Sequence, residues 1–230
     1  VNGQLTDFQS FRAHVWLDTD DGRCRVPDNL LGVAPSLGEY VHWTVDIPML
    51  FIHRDNEYQD CRGRTFREFM RDGWNGHGAN AGDYALHLST IFPDVRLKQF
   101  LEVRGADMGS RAYILALPAL HTGILYDEDA LSQTLELFED LTPQAWRVLR
   151  EGVPRHGYGT RVDGFEIGEL ADRILRLAQE GLSRWEPDAM HLLTPLVDAV
   201  SERRCPADDI RASYKGDWGA VLANTNLIAN

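Results

Sequence analysis

The stretch FPDVRLKQFLEVRGAD, Phe92–Asp107, decides how the chain is read. Arg96, Lys98, Glu102 and Arg104 share one parity, and Val95, Leu97, Leu101 and Val103 take the other. Successive side chains of a strand point to opposite faces. The alternation therefore predicts one half-buried strand with four charges on one face and aliphatics on the other. Such a charged face is commonly the solvated side of an antiparallel sheet. Two details point instead to a site. Three of the four charges are cations in a chain whose formal net charge is −12. The set also ends at Gly105, where a backbone without a Cβ admits a ligand closely. Arginine matches phosphate or carboxylate oxygens with a two-pronged fork, and one carboxylate among guanidinium groups suits a Mg2+ ion shared with phosphates.

Outward from that stretch, FRAHVWLD (Phe11–Asp18) alternates in the same way and predicts a second strand. Its polar face carries Arg12, His14 and Trp16, and Arg23 follows in the turn-rich loop DTDDGRCRVPDN. Arg12 and Arg23 are candidate carboxylate binders, and Trp16 reads as edge packing or a substrate contact. VHWTVDIPMLFIHRDNEYQDC (Val41–Cys61) predicts a strand, a tight turn at RDNE and a second short strand, with Pro48 at a bend or edge. Thr65 and Glu68 have the spacing of a capping box. The Gly- and Asn-rich WNGHGANAGD (Trp74–Asp83) reads as a mobile surface loop, with a lid as the second possibility, and Asp83 as the cap of a helix running to Ile91.

From about Gly109 the pattern becomes helical. Leu131, Leu135 and Phe138 form one apolar stripe, Thr142 and Pro143 suit a helix start, and GELADRILRLAQEGL and DAMHLLTPLVDAVSERR continue the amphipathic run. Leu135, Phe138, Leu175 and Leu192 are expected in the core. Strands first and helices afterwards imply an α+β fold with an antiparallel sheet. Residues 1–108 form the sheet portion in this reading, and residues 109–230 a helical portion packed on it, as one domain overall.

Composition excludes several classes. A net charge of −12 is wrong for a general nucleic-acid binder, whose affinity comes from neutralising phosphates, although a local basic pocket is compatible with it. IPMLFI (Ile47–Ile52) is far too short to cross a bilayer, so no membrane role is expected. VNGQLTDFQS has neither the basic nor the apolar part of a signal peptide. Cys24, Cys61 and Cys205 follow neither a disulfide framework nor a zinc pattern, which predicts reduced thiols and a cytoplasmic protein. No metalloprotease histidine pair, serine elbow or phosphate-loop motif occurs, and His77, His87 and His121 read as single packing or surface residues.

Taken together, SFRAHVWLDTDDGR (Ser10–Arg23), YVHWTVDIPM (Tyr40–Met49), HLSTIFPDVRLKQFLEVRGAD (His87–Asp107), ALPALHTGILYD (Ala116–Asp127) and YKGDWG (Tyr214–Gly219) resemble the C-terminal half of the plant and proteobacterial type of glutamate–cysteine ligase. The resemblance implies a glutamine synthetase-like fold, with the sheet as part of a half-barrel. It implies that ATP phosphorylates the γ-carboxylate of glutamate, that the amine of cysteine attacks the acyl phosphate, and that Mg2+ accompanies the nucleotide. By the same resemblance Glu102 is the metal ligand and Arg104 the catalytic, phosphate-facing arginine. Arg12, Arg23 and Arg96, with Lys98 and Trp16, then bind glutamate carboxylates or phosphates.

The chain departs from the family pattern after RGAD, where MGSRAY (Met108–Tyr113) replaces a G-P-W-R-R segment, and in DDGRCRVP (Asp20–Pro27). His121 also replaces a common aromatic. These positions bear on the amine acceptor, so a γ-glutamyl ligase for another amine stays open, as does a non-catalytic binding module derived from the fold. The redox control of plant members is not carried over, because Cys61 lacks its partner. Family enzymes are about twice this length, and their N-terminal half supplies further acidic ligands and much of the ATP site. That half is the expected partner, and these 230 residues alone are expected to be inactive.

Overall fold

The computed structural model describes residues 3–25, 30 and 36–224. In chain order the elements are α1 (Phe11–Leu17), α2 (Asp21–Cys24), α3 (Leu37–Asp46), β1 (Phe51–Arg54), β2 (Glu57–Asp60), α4 (Phe66–Asp72) and α5 (Ala81–Ser89). Then come β3 (Val95–Leu97), β4 (Leu101–Val103), α6 (Arg111–Leu125), α7 (Glu128–Glu136), α8 (Pro143–His156), β5 (Arg161–Val162) and β6 (Phe165–Glu166). The last are α9 (Ile167–Trp185), α10 (Thr194–Ser201), α11 (Pro206–Ser213) and α12 (Trp218–Asn224). The class is α+β with antiparallel pairing, as the sequence predicts. In place of one sheet, however, the described strands pair as three separate hairpins, β1–β2, β3–β4 and β5–β6.

The chain divides into two compact units, Trp16–Ala106 and Val1–Val15 with Asp107–Asn230. The first fifteen residues group with the chain from Asp107 onward. Backbone polarity explains this. The amides of Gln9 and Ser10 both donate to the Pro154 carbonyl, at 2.8 and 3.0 Å, and the Arg211 guanidinium donates to the carbonyls of Thr6 and Phe8.

Local capping overrides alternation at two places. The Ser10 hydroxyl accepts the Ala13 amide at 3.0 Å and starts α1, so FRAHVWL is a helix and the predicted strand is wrong. Ser36 and Glu39 form a reciprocal capping box, with the Ser36 amide donating to Glu39 at 2.7 Å, which makes Val41–Asp46 helical as well. The predicted turn is present: Asp55 and Asn56 both have positive φ, 51° and 63°, as a tight hairpin turn requires. Thr65 and Glu68 cap α4 as expected. Asp83 sits three residues inside α5, whose cap is Asn80, and the helix ends at Ser89. Of the DDGRCRVP segment, Val26 and Pro27 lie outside the described residues.

In unit Trp16–Ala106, Val45, Met49, Ile52, Cys61, Phe66 and Phe69 form the core, with Tyr84 and Trp74 packed against it. His87 is buried here, its Nε2 2.8 Å from the Thr44 carbonyl and its ring stacked on Phe66, a packing histidine as predicted. The Gly-rich loop makes several contacts of its own. Trp74 and His77 exchange two 2.8 Å backbone hydrogen bonds, the Arg64 guanidinium lies 4.5 Å from the Trp74 ring, and Arg54 reaches the Gly78 carbonyl. Arg54 also clamps Asp83 through both nitrogens, at 2.5 and 2.7 Å.

The Arg54 hydrogen bond holds the Asp83 carboxyl below its ordinary range, against the opposing effect of burial. A carboxyl whose pKa is depressed on folding stabilises fully above its unfolded value, about 3.9, and loses that contribution as pH falls through the folded value. Wild-type melting temperature should therefore drop below about pH 4. Asp83→Asn should flatten that drop while lowering stability at pH 7 by about 3 kcal/mol, because Arg54 loses its counter-charge. Thermal melts from acid to neutral pH check both; an unchanged acid slope in the variant would remove Asp83 from the account.

In the other unit, α6 and α9 cross so closely that each contributes a glycine at the contact. A Cβ on Gly123 would strike the Ala178 carbonyl oxygen, and one on Gly181 the Gly123 carbonyl oxygen. Ala119, Leu182 and Leu193 pack around this crossing, while Leu137, Leu170 and Leu177 form a neighbouring cluster. Leu175 is buried, and Phe138 and Leu192 pack against the clusters, as predicted. Leu135 is 56% exposed and is not core, because α7 ends one residue later at Glu136.

Candidate functional site

The opening stretch folds as a hairpin, not as one strand. The chain reverses over Lys98–Phe100, where the Lys98 amide donates to the Phe100 carbonyl at 2.9 Å. The register pairs Val95 with Val103, Arg96 with Glu102 and Leu97 with Leu101, so the predicted parity survives the turn. Its relation to solvent is the reverse of a wet charged face. Arg96 is 7% exposed, whereas Val95, Leu101 and Val103 are 43%, 62% and 42% exposed.

The cause is a hydrogen-bond network on the inner face. The Arg96 Nε donates to Glu102 Oε2 at 2.7 Å, and its Nη1 donates to the carbonyls of Ser89 and Ile91, each at 3.3 Å. The other oxygen of Glu102 accepts Arg104 Nη1 at 3.3 Å, and the Lys98 Nζ lies 3.8 Å from Oε2. The Arg96 hydrogen bond, with the charges of Arg96, Lys98 and Arg104, holds the Glu102 carboxyl below its ordinary range. Three cations around one carboxylate leave a local positive excess in an acidic chain, the electrostatics of an anion site.

The cations differ in what they can reach. Arg96 is committed to backbone carbonyls and Glu102. Arg23 is likewise 7% exposed, with Nε on Asp20 at 3.1 Å, Nη1 on Thr90 and Nη2 on the Pro48 carbonyl at 2.7 Å. Both arginines are thus held by acceptors of the chain itself. Arg104 and Lys98 stand at the rim, their side chains 24% and 42% exposed. Trp16 packs its ring against Phe92, with centres 6.5 Å apart. Arg12 lies on α1, in the part of the chain that groups with the other unit. Sequence reading also passed over Phe92, whose ring lies beneath two guanidinium groups; the signal was an aromatic four residues before Arg96.

The described residues do not build a metal site by themselves. No three potential ligands of the His, Cys, Asp or Glu type converge among them, and both Glu102 oxygens face cations. No described helix is long and apolar enough to cross a membrane. Beside the hairpin, Tyr40, Tyr84, Leu88, Leu97 and Phe100 line a groove of about 510 Å³ with Lys98 at its edge.

Comparison with known proteins fits this picture. A sequence model of the glutamate-cysteine ligase family 2 (GCS2) matches residues 1–224. The chloroplastic glutamate–cysteine ligase of Brassica juncea is 36% identical over 222 residues, which are 95% of this chain and 43% of the relative. The chloroplastic enzymes of Arabidopsis thaliana and Nicotiana tabacum are 37% and 36% identical over 95% of the chain, and 42% of each relative is covered. The chain thus spans less than half the length of these curated relatives. Their names overturn the expected cytoplasmic location, since each relative is chloroplastic. Reduced thiols do not discriminate between the two compartments. A match across almost every residue, the β3–β4 hairpin included, means that the chain belongs to glutamate-cysteine ligase family 2.

Proposed function

We propose that this chain carries the anion-holding part of an ATP-dependent ligase that joins the γ-carboxylate of glutamate to the amine of cysteine, the first step of glutathione synthesis. The observation that carries the reading is the positive cluster at β3–β4, inside a family match to enzymes of that name. Phosphoryl transfer from ATP to a carboxylate asks a protein for positioning and for positive charge opposite the transferred group, not for a nucleophile. Arg104 presents a planar fork at the rim and takes that position. Lys98 adds a mobile point charge. Glu102 keeps the cations from repelling one another and sets the angle of Arg104. Arg96 and Arg23 hold the hairpin and its approach rigid from below.

Mg2+, which the resemblance implies, finds only the Glu102 carboxylate among these residues. Further acidic ligands, much of the ATP site and the remaining contacts to glutamate and cysteine belong, in this reading, to the rest of a family-length protein. The test is ADP release from protein expressed at the length of its relatives, with glutamate and a panel of amines. Release that needs both glutamate and cysteine supports the reading. Release with a different amine would reassign the acceptor, and none with any amine would sink the ligase.

A further inference from the structure

Phe92 occupies an unusual place for an aromatic side chain. The guanidinium carbons of Arg96 and Arg104 lie 5.6 and 5.4 Å from its ring centre, and the Trp16 ring meets it at 48°. Both contacts are within cation–π range, where the ring face attracts the positive charge. We propose that Phe92 is a positioning residue whose ring fixes the Arg104 guanidinium against Glu102 at the rim of the site. The inference rests on the reading that Arg104 faces the transferred phosphoryl group.

The ring is itself well anchored. The Phe92 amide donates to the Arg23 carbonyl at 2.8 Å, Arg23 is locked by Asp20, Thr90 and Pro48, and Pro93 behind it is fully buried. The Arg104 amide donates to the Asp94 carbonyl at 2.7 Å, so both ends of the stack hang from one short segment. Core filling alone does not account for the residue. Phe92 is half-buried, and its ring meets two guanidinium groups and an indole, whereas the core cluster of this unit lies around Met49, Ile52, Phe66 and Phe69. An aromatic plane 5.4 Å from the Arg104 guanidinium carbon narrows the orientations that the group can take.

Two variants separate positioning from packing. Phe92→Leu keeps an apolar side chain but removes the ring face, and Phe92→Tyr keeps the face. In the 230-residue chain, side-chain 15N relaxation of the Arg104 Nε–H should show a clear loss of order in Phe92→Leu that Phe92→Tyr recovers. In family-length protein, Phe92→Leu should lower kcat by about 10- to 100-fold while the KM for glutamate changes much less, and Phe92→Tyr should regain most of the loss. An unmoved Arg104 signal with near-normal kcat in Phe92→Leu, or equal losses in both variants, would overturn the proposal. Arg104→Ala is run alongside. Normal turnover in Arg104→Ala removes the site reading itself, whereas a dead Arg104→Ala beside an unaffected Phe92→Leu removes only the role of Phe92.

Discussion

Arg104→Ala is expected to cut glutamate- and cysteine-dependent ADP release by about 10²- to 10³-fold, the usual cost of deleting one preorganised charge opposite a transition state. Glu102→Gln is expected to cut it as well, because Arg104 loses the carboxylate that sets its angle. The two losses should arise differently, and stability tells them apart. Arg104 is at the rim and partly exposed, so its removal should move the melting temperature less than the loss of Glu102 does. Glu102 is the counter-charge of Arg96, which is buried and cannot turn to water. Its neutralisation should therefore lower the melting temperature as well, because a buried guanidinium left without its carboxylate is strongly destabilising. Arg104→Lys should rescue poorly, since a point charge does not reproduce the planar fork. Steady-state turnover and thermal melts of the three variants check the set. Near-normal turnover in Arg104→Ala and Glu102→Gln would remove the site from this hairpin.

Gly181→Ala is expected to destabilise its unit by about 3 kcal/mol, although alanine is the better helix former by about 1 kcal/mol. At the α6–α9 crossing the added methyl meets the Gly123 carbonyl oxygen, which belongs to the backbone and cannot rotate away. Relief requires the two helices to separate, and Ala119, Leu182 and Leu193 lose packing as they do. Gly123→Ala meets the Ala178 carbonyl in the same way, so the two substitutions share one contact. Their effects should fall short of additive, because the first already parts the helices. Urea unfolding of both single variants and the double variant measures this. A wild-type midpoint for Gly181→Ala would show that the crossing is looser than the two glycines imply.

What could be read from the sequence was whatever is decided within a few residues. Thr65 with Glu68 marked a helix start, and the Asp55–Asn56 turn lay where RDNE placed it. The family, the α+β class and the shared parity of Arg96, Lys98, Glu102 and Arg104 were legible too. FRAHVWLD was misread because eight residues fit period two and period 3.6 almost equally well. Ser10 was the signal that decided between them. The exposure of each hairpin face was not legible, since alternation gives two faces without saying which one meets water. That choice depends on the Ser89 and Ile91 carbonyls waiting for Arg96, which lie on another element and its exit. Nor does spacing show that Arg23 is a strut: the carbonyl of Pro48 and the hydroxyl of Thr90 come to it only through the fold.

The reversed hairpin also bears on solubility. Val95, Phe100, Leu101 and Val103 make a short greasy strip facing water on a two-stranded element, the kind of surface on which β-proteins usually place charges to discourage sticking. Arg96 and Glu102 face inward and satisfy each other, so the exposed charges left beside the strip are Asp94 and Lys98. Salting-out ions strengthen apolar association and screen the net charge of −12 that keeps copies apart, two effects acting in one direction. The pairing that shapes the site thus takes two charges out of that defence, and the chain's overall acidity, which works best at low ionic strength, carries more of it.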